Sequence, residues 1–184
     1  MTPLRLAVII GSTREGRAGE KVARWFVEQA TRRDDLAVTV LDLADYDFPA
    51  SYPAEPTETI RSFAREVGRA EAYAVVTPEY NHSFPASLKQ AIDYAYDEWQ
   101  AKPVGFVAYG CRSTGLHAVD QLRTVFTALH ATTVRDVVGV DLLDGEPSPR
   151  HADQLCQDAR VLLDQLAWWG LALRDARAAR PYVS

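Results

Sequence analysis

The chain has 184 residues, 47% of them apolar or aromatic, which suffices for one compact domain spanning 1–184 and excludes wholesale disorder. Its formal net charge of −5 argues against a general nucleic-acid-binding surface. The two cysteines, Cys111 and Cys156, form neither a CxxC pair nor a metal-like cluster with the histidines. They read as buried or incidental thiols, and no metal site is expected.

The opening MTPLRLAVII runs directly into GSTREGR, without the basic start and long apolar stretch of a signal peptide. No apolar run approaches membrane-spanning length. A soluble cytoplasmic protein with neither membrane nor nucleic acid as partner is the expectation. Residues 6–10 form a short apolar run rich in branched side chains, the mark of a buried parallel strand. Gly11, Ser12 and Thr13 interrupt it, and Val22, Ala23, Phe26, Val27 and Ala30 then recur at helical spacing. A second strand is predicted over 36–41.

The alternation then repeats. Ile60, Phe63, Ala64 and Val67 mark a helix, and 72–76 a strand. Leu88, Ala91, Ile92 and Ala95 mark the next helix, and 104–109 the fourth strand. Leu116, Val119, Leu122, Phe126 and Leu129 form another helical stripe before a strand at 132–140, rich in threonine and valine. A last helix carries Leu155, Ala159, Leu162, Leu166 and Trp169, and ARAARPYVS reads as a frayed tail or an arm on a partner. Such alternation predicts an α/β fold, a doubly wound parallel sheet of at least five strands. Periodicity leaves the strand order open.

Three connections are unusual, at 44–56, 78–85 and 141–150. The first, with its aromatics and prolines, is either a plain surface loop or a wall over a site at the C-terminal ends of the strands, where open α/β sheets bind ligands.

The loop Gly11–Gly19 follows a strand and opens a helix, whose first N–H groups and positive dipole end attract anions. Ser12 and Thr13 add hydroxyls, Arg14 and Arg17 planar donors for phosphate oxygens, and Gly16 and Gly19 permit a tight turn and close approach. A terminal phosphate fits this donor set. Walker A is excluded, because Arg17 and Ala18 stand where GxxxxGK[ST] requires lysine and a hydroxyl. The dinucleotide fingerprint GxGxxG is also absent, since Thr13 replaces its second glycine.

The third strand runs into a loop bracketed by Pro78 and Pro85, in which Glu79, Tyr80 and Asn81 can meet a flat heterocycle. Nothing in the sequence pairs His82 with a carboxylate or nucleophile, so it reads as structural or gating. Tyr94, Tyr96 and Trp99 read as core or interface aromatics. The fourth strand leads through Tyr109 and Gly110 to Cys111, Arg112, Ser113 and Thr114, where Arg112, Ser113 or Thr114 can donate to ring carbonyls or a second ligand. Cys111 precedes a possible helix start, a setting that invites a reading as a reactive thiol, but His117 is not evidently its base and Cys156 is distant in sequence.

Three segments, GSTREGRAG at 11–19, PEYNHSFPASLKQAIDY at 78–94 and the stretch from KPVGFVAYG to LHAVDQLR within 102–123, together resemble the NADPH-dependent FMN reductases of the flavodoxin-like superfamily. The resemblance implies a flavodoxin-like three-layer sandwich with strand order 2-1-3-4-5. It implies that Ser12, Arg14 and Arg17 hold the FMN phosphate. It implies that Pro78, Glu79, Tyr80 and Asn81 line the ribityl and isoalloxazine region, with Tyr109 and Gly110 on the other flank. It further implies a homodimer or homotetramer. The third loop departs from the family's glycine-rich pattern at Cys111 and Thr114, and His117 stands where an arginine is common.

The expected activity is that of an FMN-dependent oxidoreductase, taking hydride from NADPH, or NADH, and passing electrons to free flavin, a quinone or another small acceptor. A partner monooxygenase is a further recipient of reduced flavin. The alternatives are a specialised-metabolite flavoenzyme, a noncatalytic FMN electron carrier, and a regulatory protein that has lost its flavin.

Overall fold

The computed structural model describes residues 2–111, 113–143, 146–147 and 152–183. Its strands are β1 (Leu4–Ile10), β2 (Leu36–Asp42), β3 (Ala72–Pro78), β4 (Pro103–Gly110), β5 (Thr132–Leu143) and β6 (Glu146–Pro147). Its helices are α1 (Gly19–Thr31), α2 (Glu58–Arg69), α3 (Ala86–Asp93), α4 (Leu116–Ala128) and α5 (Ala152–Ala179). The first five strands are parallel, in the order β2-β1-β3-β4-β5. This is the flavodoxin-like order expected above. The short β6 turns back antiparallel along β5.

Strand alternation divides the core. Leu4, Leu6, Val8 and Ile10 face α1 and α5, packing with Phe26, Leu162 and Leu166. Ala7 and Ile9 face the other side, where Phe63, Leu88, Ile92 and Phe126 of α2, α3 and α4 cover the sheet. β3 and β4 lie in the middle and are buried on both faces, which accounts for their unbroken apolar runs. Edge strand β2 is less covered, with Leu36 and Leu41 buried and Val40 exposed.

Three expectations change. Trp169 is not on the buried stripe of α5 but 38% exposed beside the more exposed Trp168. The stripe passes instead through Gly170, where a Cβ would lie 2.5 Å from Leu4 Cδ2, so α5 sits too close to β1 for a larger side chain. The first four residues of the supposed C-terminal tail belong to α5, and Tyr182 beyond it hydrogen-bonds His130 Nδ1 at 3.0 Å. Both cysteines are exposed, which corrects the buried alternative.

Trp99 and Tyr94 are core residues, whereas Tyr96 is exposed. The 44–56 connection folds down on α2 and α3. Tyr46 stacks on Phe48, both meet Phe63 edge-on, and Pro49 O accepts from Tyr94 Oη at 2.9 Å and Gln90 Nε2 at 2.7 Å. No helix of the described residues is long and apolar enough to cross a membrane.

Candidate functional site

An open cleft of about 210 Å³ lies at the C-terminal ends of the parallel strands. Arg14, Gly16, Arg17 and Ala18 form one wall, and Pro78, Glu79 and Tyr80 another. Tyr109, Gly110 and Cys111 close the base, with Leu142 of β5 at the margin. The cleft is smaller than the roughly 300–1,000 Å³ that encloses a drug-sized ligand. It can therefore seat one end of a ligand and leave the rest open.

The first wall is a loop with spare donors. Gly11 N–H still pairs with Val76 O at 2.8 Å. From Ser12 through Ala18, no backbone N–H donates to an acceptor among the described residues. α1 then starts without a side-chain cap. Unpaired amides at a helix start make a concavity suited to an anion. Arg14 has no side-chain hydrogen bond or ion pair among the described residues.

Arg17 is engaged differently. Its guanidinium donates to Asp42 Oδ1 at 2.6 Å and Oδ2 at 2.5 Å, to Glu20 Oε1 at 3.0 Å, and to the Ser12 carbonyl. The Asp42 hydrogen bonds lead over burial in raising its pKa, so it is a permanent cation. Asp42 reaches the loop because it ends β2 opposite Ile10, the last residue of β1. Ser12 is fully buried beneath the loop, and its Oγ accepts from Tyr109 Oη at 3.0 Å. Burial, outweighing that bond, pushes the Tyr109 phenol up to about 12, so it stays neutral. Gly19 packs on the same pair, since a Cβ there would lie 2.3 Å from Ser12 Oγ and 2.7 Å from Tyr109 Oη.

The second wall centres on Glu79, whose side chain is only 10% exposed. Oε2 accepts from Ser113 Oγ at 2.8 Å and from His117 N–H at 3.2 Å, and Oε1 lies 3.0 Å from His117 Nδ1. Burial pushes this carboxyl up, but the Ser113 and His117 contacts together hold it below the ordinary glutamate value. Past Glu79 the chain makes a two-residue hairpin. Tyr80 and Ser83 exchange backbone hydrogen bonds of 2.8 and 3.0 Å, and Asn81 and His82 both take positive φ, 51° and 63°. This is the dihedral signature of a type I′ turn.

Of the residues singled out from sequence, Arg14, Arg17, Pro78, Glu79, Tyr80, Tyr109 and Gly110 border the cleft. Ser12 and Gly19 lie beneath it, Ser113 braces Glu79, and Asn81 sits at the exposed tip of the hairpin. Arg112 lies outside the described residues. Leu142 and Asp42 escaped the sequence, since each belongs to a neighbouring strand that only the sheet order brings near. His82 is also corrected. Its ring stacks on that of His117 at 4.2 Å, and a ring nitrogen lies within 4.8 Å of a Glu79 carboxylate oxygen, so a carboxylate is its neighbour without a direct hydrogen bond among the described residues.

The chain matches the family model described as NADPH-dependent FMN reductase over residues 4–142. It is 32% identical over 126 residues to an NAD(P)H-dependent FMN reductase of Schizosaccharomyces pombe, an alignment covering 62% of each chain. It is 36% identical over 127 residues to a quinone reductase of Pseudomonas putida, covering 63% of this chain and 67% of the relative. Among solved structures, the flavoenzyme NAD(P)H:acceptor oxidoreductase FerB of Paracoccus denitrificans superposes with a TM-score of 0.73 at 20% identity, over 89% of this chain and 97% of FerB. That likeness concerns the fold. The match to the family model over most of the chain establishes that this protein belongs to the NADPH-dependent FMN reductase family.

Proposed function

We propose that the cleft binds FMN by its phosphate end and that the protein is an NAD(P)H-dependent oxidoreductase serving a small acceptor such as a quinone or free flavin. The observation that carries this reading is the donor set of the first loop. Backbone amides from Ser12 to Ala18, and the Arg14 side chain beside them at the start of α1, have no hydrogen-bond acceptor among the described residues. These groups fit a phosphate dianion, for which a helix start and a planar guanidinium are both favourable. Bound FMN would supply the redox chemistry, accepting hydride from the nicotinamide and releasing electrons to the acceptor.

The chain's own residues bind and position. Arg17 offsets Asp42 and Glu20 and ties the Ser12 carbonyl, which holds the loop open for a ligand. Tyr109 keeps its proton and offers the cleft a neutral wall. Glu79, kept ionised by Ser113 and His117, accepts hydrogen bonds and is a poor proton donor at neutral pH. The openness of the cleft leaves room for a nicotinamide and then an acceptor to approach. The names of the fission-yeast and P. putida relatives support both the donor and the acceptor class.

The test compares FMN with riboflavin, by fluorescence quenching, in wild type and Arg14→Ala. A loss of FMN affinity of about tenfold or more, with riboflavin little changed, is expected from removing one charge-assisted phosphate contact. Equal losses for both flavins would count against phosphate binding here. Anaerobic stopped-flow mixing with NADPH and with NADH then reads the donor. Bleaching of the oxidised-flavin band supports a reductase, and its persistence with both donors points to an electron carrier.

A further inference from the structure

Glu79, His82 and His117 converge at the rim of the cleft, with one donor atom from each lying within 4.8 Å of the others. They come from two elements. Glu79 and His82 belong to the hairpin after β3, and His117 to the first turn of α4. We propose that these three side chains bind a borderline divalent metal ion of the Zn²⁺ class.

The donor chemistry selects the ion. Two imidazoles and one carboxylate suit Zn²⁺, Ni²⁺ or Co²⁺, whereas Mg²⁺ and Ca²⁺ prefer oxygen ligands throughout. Three protein ligands leave a fourth tetrahedral position for water. Zinc needs its nitrogen and oxygen donors about 2.0–2.2 Å away, so the three groups must draw in. His82 and His117 are exposed and can rotate to do so. Their rings now stack 4.2 Å apart and 2° from parallel, and because imidazole binds a metal through the in-plane lone pair of a ring nitrogen, each ring must turn its edge toward the ion.

The surroundings supply the support that metal ligands use. Ser113 Oγ and the His117 N–H fix the orientation of Glu79 at 2.8 and 3.2 Å. Gln121, one turn beyond His117 on α4, donates to the His82 carbonyl at 2.8 Å and accepts from Ser83 Oγ at 2.6 Å. The hairpin and helix are therefore held in register before any ion arrives. A bound ion would bridge the two loops and turn the negative charge of Glu79, on the cleft wall, into a net positive site. The proposal stands on these residues alone and does not depend on what the cleft holds.

The experiment is a Zn²⁺ titration of the untagged protein against a chromophoric chelator. It uses wild type, His82→Ala, His117→Ala and a Cys111→Ser/Cys156→Ser variant. The expected result is one Zn²⁺ per chain, kept in the cysteine variant and weakened about tenfold or more in each histidine variant. Co²⁺ added to wild type should give ligand-field bands without a thiolate charge-transfer band, a readout that needs no variant to fold. No stoichiometric uptake, loss in only one histidine variant or in neither, dependence on the cysteines, or a thiolate band would each overturn the proposal.

Discussion

Tyr109 Oη donates to Ser12 Oγ across 3.0 Å, joining the end of β4 to the loop after β1 underneath the cleft floor. Both groups are buried, so each needs the other. Tyr109→Phe and Ser12→Ala should each destabilise the fold by about 1–3 kcal/mol, the cost of a buried polar group left without its partner. The double variant should cost less than the sum, because it removes both groups together. Urea unfolding of the four proteins checks this, and strict additivity would show that the bond is not what couples them.

Gly19 leaves no space for a side chain above that pair. Gly19→Ala should therefore cost about 1–3 kcal/mol by overpacking, against the usual preference for alanine in a helix. In the Ser12→Ala/Tyr109→Phe background the two close oxygens are gone, and the penalty should shrink to within a few tenths of a kcal/mol. Thermal melts of the matched pairs would show whether it does.

Arg14 and Arg17 should separate by phenotype. Arg17 is held by Asp42, whose side chain is 17% exposed, and losing its charge-assisted bonds should cost about 1.5–3 kcal/mol of stability. Arg14→Ala should leave the unfolding midpoint almost unchanged, since no partner is lost. Chemical denaturation without added ligand distinguishes them, and equal destabilisation would show that Arg14 also braces the loop.

Lys102 sets a pH dependence at the opposite end of the sheet. Its Nζ donates to Gly68 O at 2.9 Å and Tyr73 Oη at 3.1 Å. Burial, aided by the charge of Arg177, pulls its pKa from 10.5 down to about 8. Between those values the unfolded chain holds a proton that the folded chain has released, so stability rises with pH across this window. The gain from pH 7 to pH 10 should be roughly 2–3 kcal/mol, and Lys102→Met should abolish it. Urea unfolding at several pH values reads the difference. Above pH 10 the buried phenols of Tyr73 and Tyr109 act in the opposite sense, because their pKa values are raised.

The strands and helices were legible because burial imposes periodicity. β3 and β4, covered on both faces, read as unbroken apolar runs, and α1 and α2 show their inward stripes directly. The phosphate-like loop was legible from its arginines, but the division of labour between them was not. Asp42 is 25 positions from Arg17, and only the β1–β2 register makes them neighbours. The same limit hid the contact between Glu79 and His117, which are 38 positions apart. Their meeting follows from the pairing of Pro78 with Tyr109 across β3 and β4. Trp169 failed for a different reason. A helical stripe gives spacing without the distance between helix and sheet, and over Leu4 that distance admits only Gly170.

The hairpin tip sets folding against function at a single position. Its left-handed backbone at residue 82 suits glycine best, and a branched or ringed side chain there is tolerated at a conformational cost. A designer optimising this turn for folding alone would write Asn-Gly. The imidazole of His82 is thus a tenant that the backbone does not favour, and replacing it with glycine should make the chain sturdier while leaving Glu79 and His117 without their third companion.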